Sequence, residues 1–186
     1  MTGESNSMNT SKVRLATVWL DGCSGCHMSL LDTDERLIDL VGMVDLVYSP
    51  LADLKEFPHD VDVALVEGAV SSDEDLEKIR CIRERTKVLV SLGDCAVTAN
   101  VPSMRNPFGV KAIMRRVYGN GSDKNVEPPF EVVPLLLKNA RPVHAVVKVD
   151  VFVPGCPPSA DTIFYVLSEL LAGRQPDSSA HTRFGA

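Results

Sequence analysis

Four of the five cysteines have positions in the sequence that would suit the ligands of one metal centre. Cys23 and Cys26 form a CxxC pair, whereas Cys95 and Cys156 stand alone much later in the chain. Each of these three groups directly follows a hydrophobic run. Thiolates bind soft metals such as iron and zinc, and four cysteines are the usual ligand set of a [4Fe–4S] cluster. The spacing therefore raises the possibility of one metal centre built from distant segments.

The elements that must position these cysteines form an alternating pattern. Short β-rich runs occur at residues 13–20, 44–48, 61–66, 87–92 and 146–153, and helical patterns separate most of them. Strands that alternate with helices predict right-handed crossovers and a parallel sheet. We therefore predict an α/β fold, a three-layer, flavodoxin-like parallel sheet with helices on both faces.

Several local signals predict where the helices lie. One apolar face after the CxxC pair consists of Leu30, Leu31, Leu37, Ile38 and Val41. Ser71 and Glu74 have the spacing of a capping box, which predicts a helix start. Asn106-Pro107 predicts a further start with proline at the first helical position, and the buried face of that helix is predicted to be Val110, Ile113, Met114 and Val117. The last helix is predicted at 159–172.

The predicted fold brings the cysteines together. In open parallel sheets, ligands bind beyond the carboxyl ends of the strands. Cys23 and Cys26 follow the first predicted strand, Cys95 the fourth and Cys156 the fifth. We therefore expect these four thiols to share one sheet edge and to bind one [4Fe–4S] cluster. Cys81 lies inside a predicted helix and has no comparable position.

Three other uses of these residues are open at this point. Structural zinc uses four cysteines as well, although zinc ribbons combine two local CxxC pairs, and here one pair is joined by two distant cysteines. A CxxC pair that opens a helix is also the thioredoxin arrangement, which leaves Cys95 and Cys156 unexplained. Flavin mononucleotide (FMN) is unfavoured because thiols would fill the loop that must cradle its phosphate.

Two further residues adjoin the predicted site. Glu67 ends the third strand at the same edge, where it could line the cluster, tune it or relay protons, or could be a solvated carboxylate or a backbone cap. His27 follows Cys26, and we expect a histidine at a helix start to be a surface or interface residue.

Composition and charge exclude several classes of protein. The chain has 186 residues and a net charge of −6, which disfavours nucleic-acid binding. No apolar run is long enough to span a bilayer, and residues 1–12 are polar without a signal core, so we expect a cytoplasmic protein. We predict a flexible tail at 1–12, one domain at 13–173 and a loose tail at 174–186. Residues 120–145 match no clear element and are a candidate partner-contact region.

The cysteine segments resemble a known family. LDGCSGCHMSLLD, VEGAVSS, SLGDCA and VHAVVKVDVFVPGCPP are similar to the cluster loops of [NiFe] hydrogenase small subunits. The 20-kDa cluster subunit of respiratory complex I looks similar, but it typically has two adjacent cysteines in the first loop. Here that loop contains Cys23-Ser24-Gly25-Cys26, which favours the hydrogenase resemblance.

The resemblance implies a role within a larger enzyme. LDTDERLIDLV and VPSMRNPFG look most like the small subunit of the soluble, bidirectional, NAD-reducing type. That type implies a large subunit with a nickel–iron site, an iron–sulfur and flavin diaphorase, and electron relay without catalysis by the isolated chain. Small subunits of F420- or heterodisulfide-linked hydrogenases and quinone-linked complexes are the alternatives. Because no cysteine follows Cys156, we expect one cluster.

Overall fold

Strands and helices alternate along the chain in the computed structural model, which describes residues 12–119 and 133–182. The strands are β1 (Val13–Trp19), β2 (Val44–Tyr48), β3 (Val61–Glu67), β4 (Val70–Ser72), β5 (Thr86–Leu92), β6 (Leu136–Arg141) and β7 (Val151–Val153). The helices are α1 (Gly25–Leu31), α2 (Arg36–Met43), α3 (Asp73–Arg85), α4 (Asp94–Thr98), α5 (Asn100–Ser103), α6 (Val110–Tyr118) and α7 (Ala160–Leu171). The predicted α/β class is confirmed.

The main sheet has five parallel strands in the order β2-β1-β3-β5-β7. Counting only these strands, the order is the doubly wound one of flavodoxin-like folds, in which the winding direction reverses between the first and third strands. The carboxyl ends of β1 and β3 therefore border the position where this architecture leaves a crevice for a ligand.

Both faces of the sheet are buried, which explains why its strands are continuous apolar runs rather than alternating ones. On β1, Ala16 and Val18 pack in a core with Ile79 and Ile82 of α3. The alternate residue Leu15 belongs to a second core on the opposite face, formed with α2 and α7. Three layers follow from this arrangement.

The helical segment after the CxxC pair differs from the prediction. It is split into α1 and α2, and Ile38 and Val41 are exposed. The hydroxyl of Thr33 donates a hydrogen bond to the carbonyl of Leu30 at 2.8 Å, and Asp34 has a positive φ of 52°. This local turn ends α1 and redirects the chain, so the predicted single apolar face is wrong.

Two predicted helix starts are also corrected. The capping box of α3 uses Ser72 and Asp75 instead of Ser71 and Glu74, because β4 runs through Ser72 before the helix begins. The helix predicted at Asn106-Pro107 begins at Val110. The Asn106 side chain instead bonds the backbone of Ala140 in β6, with N–H···O distances of 3.0 and 2.8 Å.

Two strand assignments and one burial assignment change as well. Only Val151–Val153 of the predicted strand 146–153 is extended, and Val143–Ala145 before it forms a 3₁₀ turn. Val117, predicted to be buried, is exposed. Part of the unassigned stretch 120–145 forms β6, which pairs antiparallel with β4. Residues 120–132, which make up half of the predicted partner-contact region, lie outside the described residues.

The chain after α7 returns to the sheet. The Ser178 hydroxyl donates to the carbonyl of Phe152 at 2.9 Å, and the His181 ring stacks on Tyr165 with centroids 3.9 Å apart. The division into one domain at 13–173 and two tails stays a prediction. No helix in the described residues is long and apolar enough to cross a membrane.

Candidate iron–sulfur site

Three loops at the carboxyl edge of the main sheet surround one cavity. Its volume is about 90 Å³, and its wall includes Cys23, Cys26, Cys95 and Cys156. The first two follow β1, the third follows β5 and the fourth follows β7. Cys81 lies within α3 and does not line this cavity. The four cysteines singled out by spacing are therefore brought together, and the fifth is not.

The first loop turns sharply to present its two thiols. Ser24 adopts a left-handed conformation with φ 60°, and α1 begins at the next residue, which places Cys26 in the first turn of the helix. Cys26 is partly buried, whereas Cys23 is exposed. The CxxC pair thus spans the site from its inner wall to the protein surface.

The second loop fits closely against the first. Gly93 has φ +80°, and a Cβ atom built there would collide with the Sγ atom of Cys26. Only glycine satisfies both the positive φ and this close approach without displacing a thiol. The sequence analysis did not single out Gly93, although a glycine two residues before the candidate ligand Cys95 was the available signal.

Asp94 ties the second loop to the third. Its carboxylate accepts a hydrogen bond from the Gly155 N–H at 2.7 Å, and its own N–H donates to the Gly155 carbonyl at 2.8 Å. These two bonds hold the residues before Cys95 and Cys156 side by side. Asp94 is the second residue that sequence reasoning missed, because nothing local identifies its partner.

Glu67 lies at the end of β3 and also lines the cavity. It is only 2% exposed, and Oε2 accepts two hydrogen bonds of 2.7 Å, from the backbone N–H and from Nδ1 of His27. A solvated role for Glu67 is therefore wrong. His27 is buried as well, so its predicted surface position is wrong.

The thiols share an environment that opposes negative charge when no metal is present. Burial is the main cause that raises the pKa of Cys26, and the nearby Glu67 carboxylate and the other three cysteines raise it further. Burial also raises the pKa of Cys95, partly offset by a hydrogen bond from the Val101 backbone. A cation or cationic cluster would remove this penalty, because metal ligation replaces the thiol proton.

The thiols surround a volume instead of meeting at a point. Among the described residues, no three Cys, His, Asp or Glu side chains form a group of the kind that binds a single metal ion. The cavity between the four cysteines has room for a body larger than one ion. Its remaining wall consists of the adjoining loop residues, including Glu67 and Asp94.

Comparison with known proteins places the chain in a family. Residues 23–170 match the family described as the 20-kDa subunit of NADH ubiquinone oxidoreductase. The chain belongs to this family. The matched range contains all four cavity cysteines, and the predicted relation to the complex I subunit is thus confirmed.

Hydrogenase subunits are among the relatives of this chain. The NAD-reducing hydrogenase HoxS subunit delta of Cupriavidus necator is 43% identical over 171 residues, covering 89% of this chain and 82% of that protein. A subunit of the F420-non-reducing hydrogenase vhu of Methanococcus voltae is 40% identical over 89% of this chain and is covered over 58% of its own length. The predicted resemblance to hydrogenase small subunits is confirmed.

A solved structure agrees with the sequence relatives. A chain in the crystal structure of an NAD⁺-reducing [NiFe]-hydrogenase in the H₂-reduced state superimposes with a TM-score of 0.84 at 38% identity. The alignment covers 92% of this chain and 98% of that one. The flavodoxin-like sheet described above is therefore the fold of a hydrogenase subunit.

Proposed function

We propose that this chain is the small subunit of a cytoplasmic, NAD-reducing [NiFe] hydrogenase. It relays electrons through one [4Fe–4S] cluster bound by Cys23, Cys26, Cys95 and Cys156. The observation that carries the proposal is the convergence of these four thiols on one cavity, in a chain 43% identical to a subunit of an NAD-reducing hydrogenase.

The residues present suit such a cluster. Four thiolates are its usual ligands, and the cluster supplies one-electron transfer when bound. The cavity leaves space between the thiols, and glycine at position 93 avoids a collision with the Sγ atom of Cys26. The chain's own contribution is to supply ligands, to hold their loops in place and to limit access of water.

Two hydrogen-bonded links keep the ligand loops in register. Glu67 fixes the start of α1 through the His27 N–H, and Asp94 joins the loops that bear Cys95 and Cys156. Each link connects segments far apart in sequence, so the ligand positions are set before any iron is bound. This preorganisation reduces the rearrangement needed for cluster assembly.

The exposure of the cysteines suggests how electrons enter and leave. Cys23 and Cys156 are exposed, so the cavity reaches the surface where other subunits can approach. A hydrogenase large subunit would carry the nickel–iron site that splits H₂. A diaphorase with flavin and iron–sulfur groups would pass the electrons to NAD. The isolated chain is expected to have no hydrogenase activity.

One experiment tests both the ligand set and the electron acceptor. The assembled complex would be purified through this chain, and its iron, acid-labile sulfide and H₂-dependent NAD⁺ reduction measured. We expect iron and sulfide near four each for this chain's site. Cys156→Ala, Cys95→Ala and Cys26→Ala should each remove them and abolish electron transfer.

Cys81→Ala is the matched control, since it removes a partly buried thiol outside the cavity. It should retain iron, sulfide and activity. Zinc without sulfide, or full iron in the Cys156→Ala variant, would disprove the cluster. Robust disulfide reduction by the isolated chain would support a thioredoxin-like role instead. Reduction of F420 or a quinone, but not NAD⁺, would reject the NAD linkage alone.

A further inference from the structure

A second cavity lies beside the cluster site, between the main sheet and helices α1 and α2. It has a volume of about 240 Å³. Ten of its thirteen lining residues are leucine or valine, among them Leu15, Leu30, Leu40 and Val44. Val41 on α2, which is exposed, lies at its mouth and shows that the cavity opens toward solvent.

The polar groups of this cavity are few. The hydroxyls of Thr17 and Ser49 are hydrogen bonded to each other at 3.0 Å. The third polar residue is His27, which is 6% exposed. Among the described residues that line the cavity, only Nε2 of His27 is a buried side-chain polar atom without a hydrogen-bond partner.

The imidazole of His27 separates the two cavities. Its Nδ1 faces Glu67, which lines the cluster cavity and not this one, whereas His27 itself lines only this one. Because Nδ1 is engaged with Glu67, Nε2 is the ring nitrogen left for a ligand in this cavity. A hydroxyl group can both donate and accept a hydrogen bond, so it can pair with Nε2 in either protonation state of the ring. A buried polar atom without a partner destabilises the unliganded protein, so a ligand that supplies one hydrogen bond there gains affinity.

We propose that this cavity is a binding site for a small, largely apolar molecule that carries one hydroxyl group. The leucine and valine wall would surround its hydrocarbon part, and its hydroxyl would form a hydrogen bond with Nε2 of His27. Apolar cavities of about 150 Å³ already bind benzene, so 240 Å³ is ample for a monocyclic phenol. Nothing in the proposed electron relay uses this cavity.

Fluorine NMR of the purified complex tests the proposal with two probes that differ in one group, 4-fluorophenol and 4-fluorotoluene. We expect 4-fluorophenol to bind saturably at one site. Val41→Trp should block binding, because the larger side chain fills the mouth. Ile38→Trp is the matched control, since it places the same side chain at an exposed position of α2 outside the cavity, and it should bind normally.

His27→Phe tests the hydroxyl preference, because it keeps a ring and removes Nε2. The affinity for 4-fluorophenol relative to 4-fluorotoluene should fall about fivefold or more, the worth of one hydrogen bond. If this variant does not fold, the tryptophan pair still decides whether the cavity binds. The absence of saturable binding, equal binding to Val41→Trp, or an unchanged ratio in folded His27→Phe would overturn the proposal.

Discussion

Two carboxylates show how single residues join elements that are distant in sequence. Glu67 connects β3 to the start of α1, and Asp150 connects the chain before β7 to α3 and β5. Asp150 accepts hydrogen bonds from Arg83 and from the Leu89 N–H. Burial alone would raise its pKa, but these donors outweigh burial and lower the pKa below its usual range.

Asp150→Asn should therefore make stability less dependent on acid pH. Because the folded pKa is lowered, the ionised carboxylate contributes stability above the unfolded pKa of about 3.9, and that contribution is lost as pH falls through the folded pKa. At pH 7 the free energy of unfolding should fall by about 1–3 kcal/mol, and the difference from the unsubstituted protein should shrink toward pH 2. Urea unfolding across this pH range measures it.

Asp53→Asn is the control for this prediction, because Asp53 is fully exposed and, among the described residues, forms an ion pair only with the exposed Lys55. Surface ion pairs contribute little to stability, so this variant should unfold like the unsubstituted protein at every pH. If the free energy of unfolding of Asp150→Asn stayed below that of the unsubstituted protein by the same amount from pH 7 to pH 2, the linkage to ionisation would be contradicted.

Among the helices and strands, the start of α3 differs most clearly from the position that residue spacing predicts. Asp75 accepts from the backbone N–H of Ser72 at 2.9 Å and of Ser71 at 3.1 Å, and the Ser72 hydroxyl accepts from the Asp75 N–H. Ser71 belongs to β4, and its hydroxyl is hydrogen bonded to Asp21. The sheet therefore shifts the cap by one residue from the position that spacing favoured.

Asp75→Ala should lower the free energy of unfolding by about 1 kcal/mol, because it removes acceptors from two backbone N–H groups. Glu74→Ala is the matched control: it also removes a negative charge from the first turn but no capping bond. The two variants lose similar helix-dipole stabilisation, so their difference in urea midpoint isolates the capping box. Equal midpoints would refute the assignment of the cap.

At the scale of the whole molecule, the proposed cluster would connect three separate strand ends. Its ligands follow β1, β5 and β7, which meet only in the folded sheet. A group that binds the folded chain and not the unfolded one stabilises the fold by mass action. Iron–sulfur loading and thermal stability should therefore be coupled.

Removing the iron with a chelator and an oxidant should lower the melting temperature of the chain by about 5 °C or more, since each kcal/mol corresponds to about 2–4 °C for a chain of this size. Differential scanning calorimetry of loaded and iron-free protein measures the shift. Cys81→Ala should show the same shift as the unsubstituted chain. Equal melting temperatures with and without iron would argue against a cluster that bridges the three loops.

The sequence by itself determined the class of fold and the location of the cysteines. Buried parallel strands need continuous apolar runs, and turns need residues such as Gly and Pro, so both leave local patterns. Once the strands were assigned, the rule that ligands bind at their carboxyl ends placed Cys23, Cys26, Cys95 and Cys156 at one edge. The identity of the bound group remains a proposal from chemistry and resemblance.

Only the tertiary structure decided how His27, Glu67 and Asp94 are used. His27 and Glu67 meet because β1 and β3 are neighbours with Trp19 opposite Glu67, and Asp94 meets Gly155 because β7 lies beside β5. Strand order and register arise from packing on both faces of the sheet. This packing joins residues that are distant in the chain, so no short stretch of sequence predicts it. The same packing buries His27 between two cavities, although its neighbours in sequence indicated an exposed helix start.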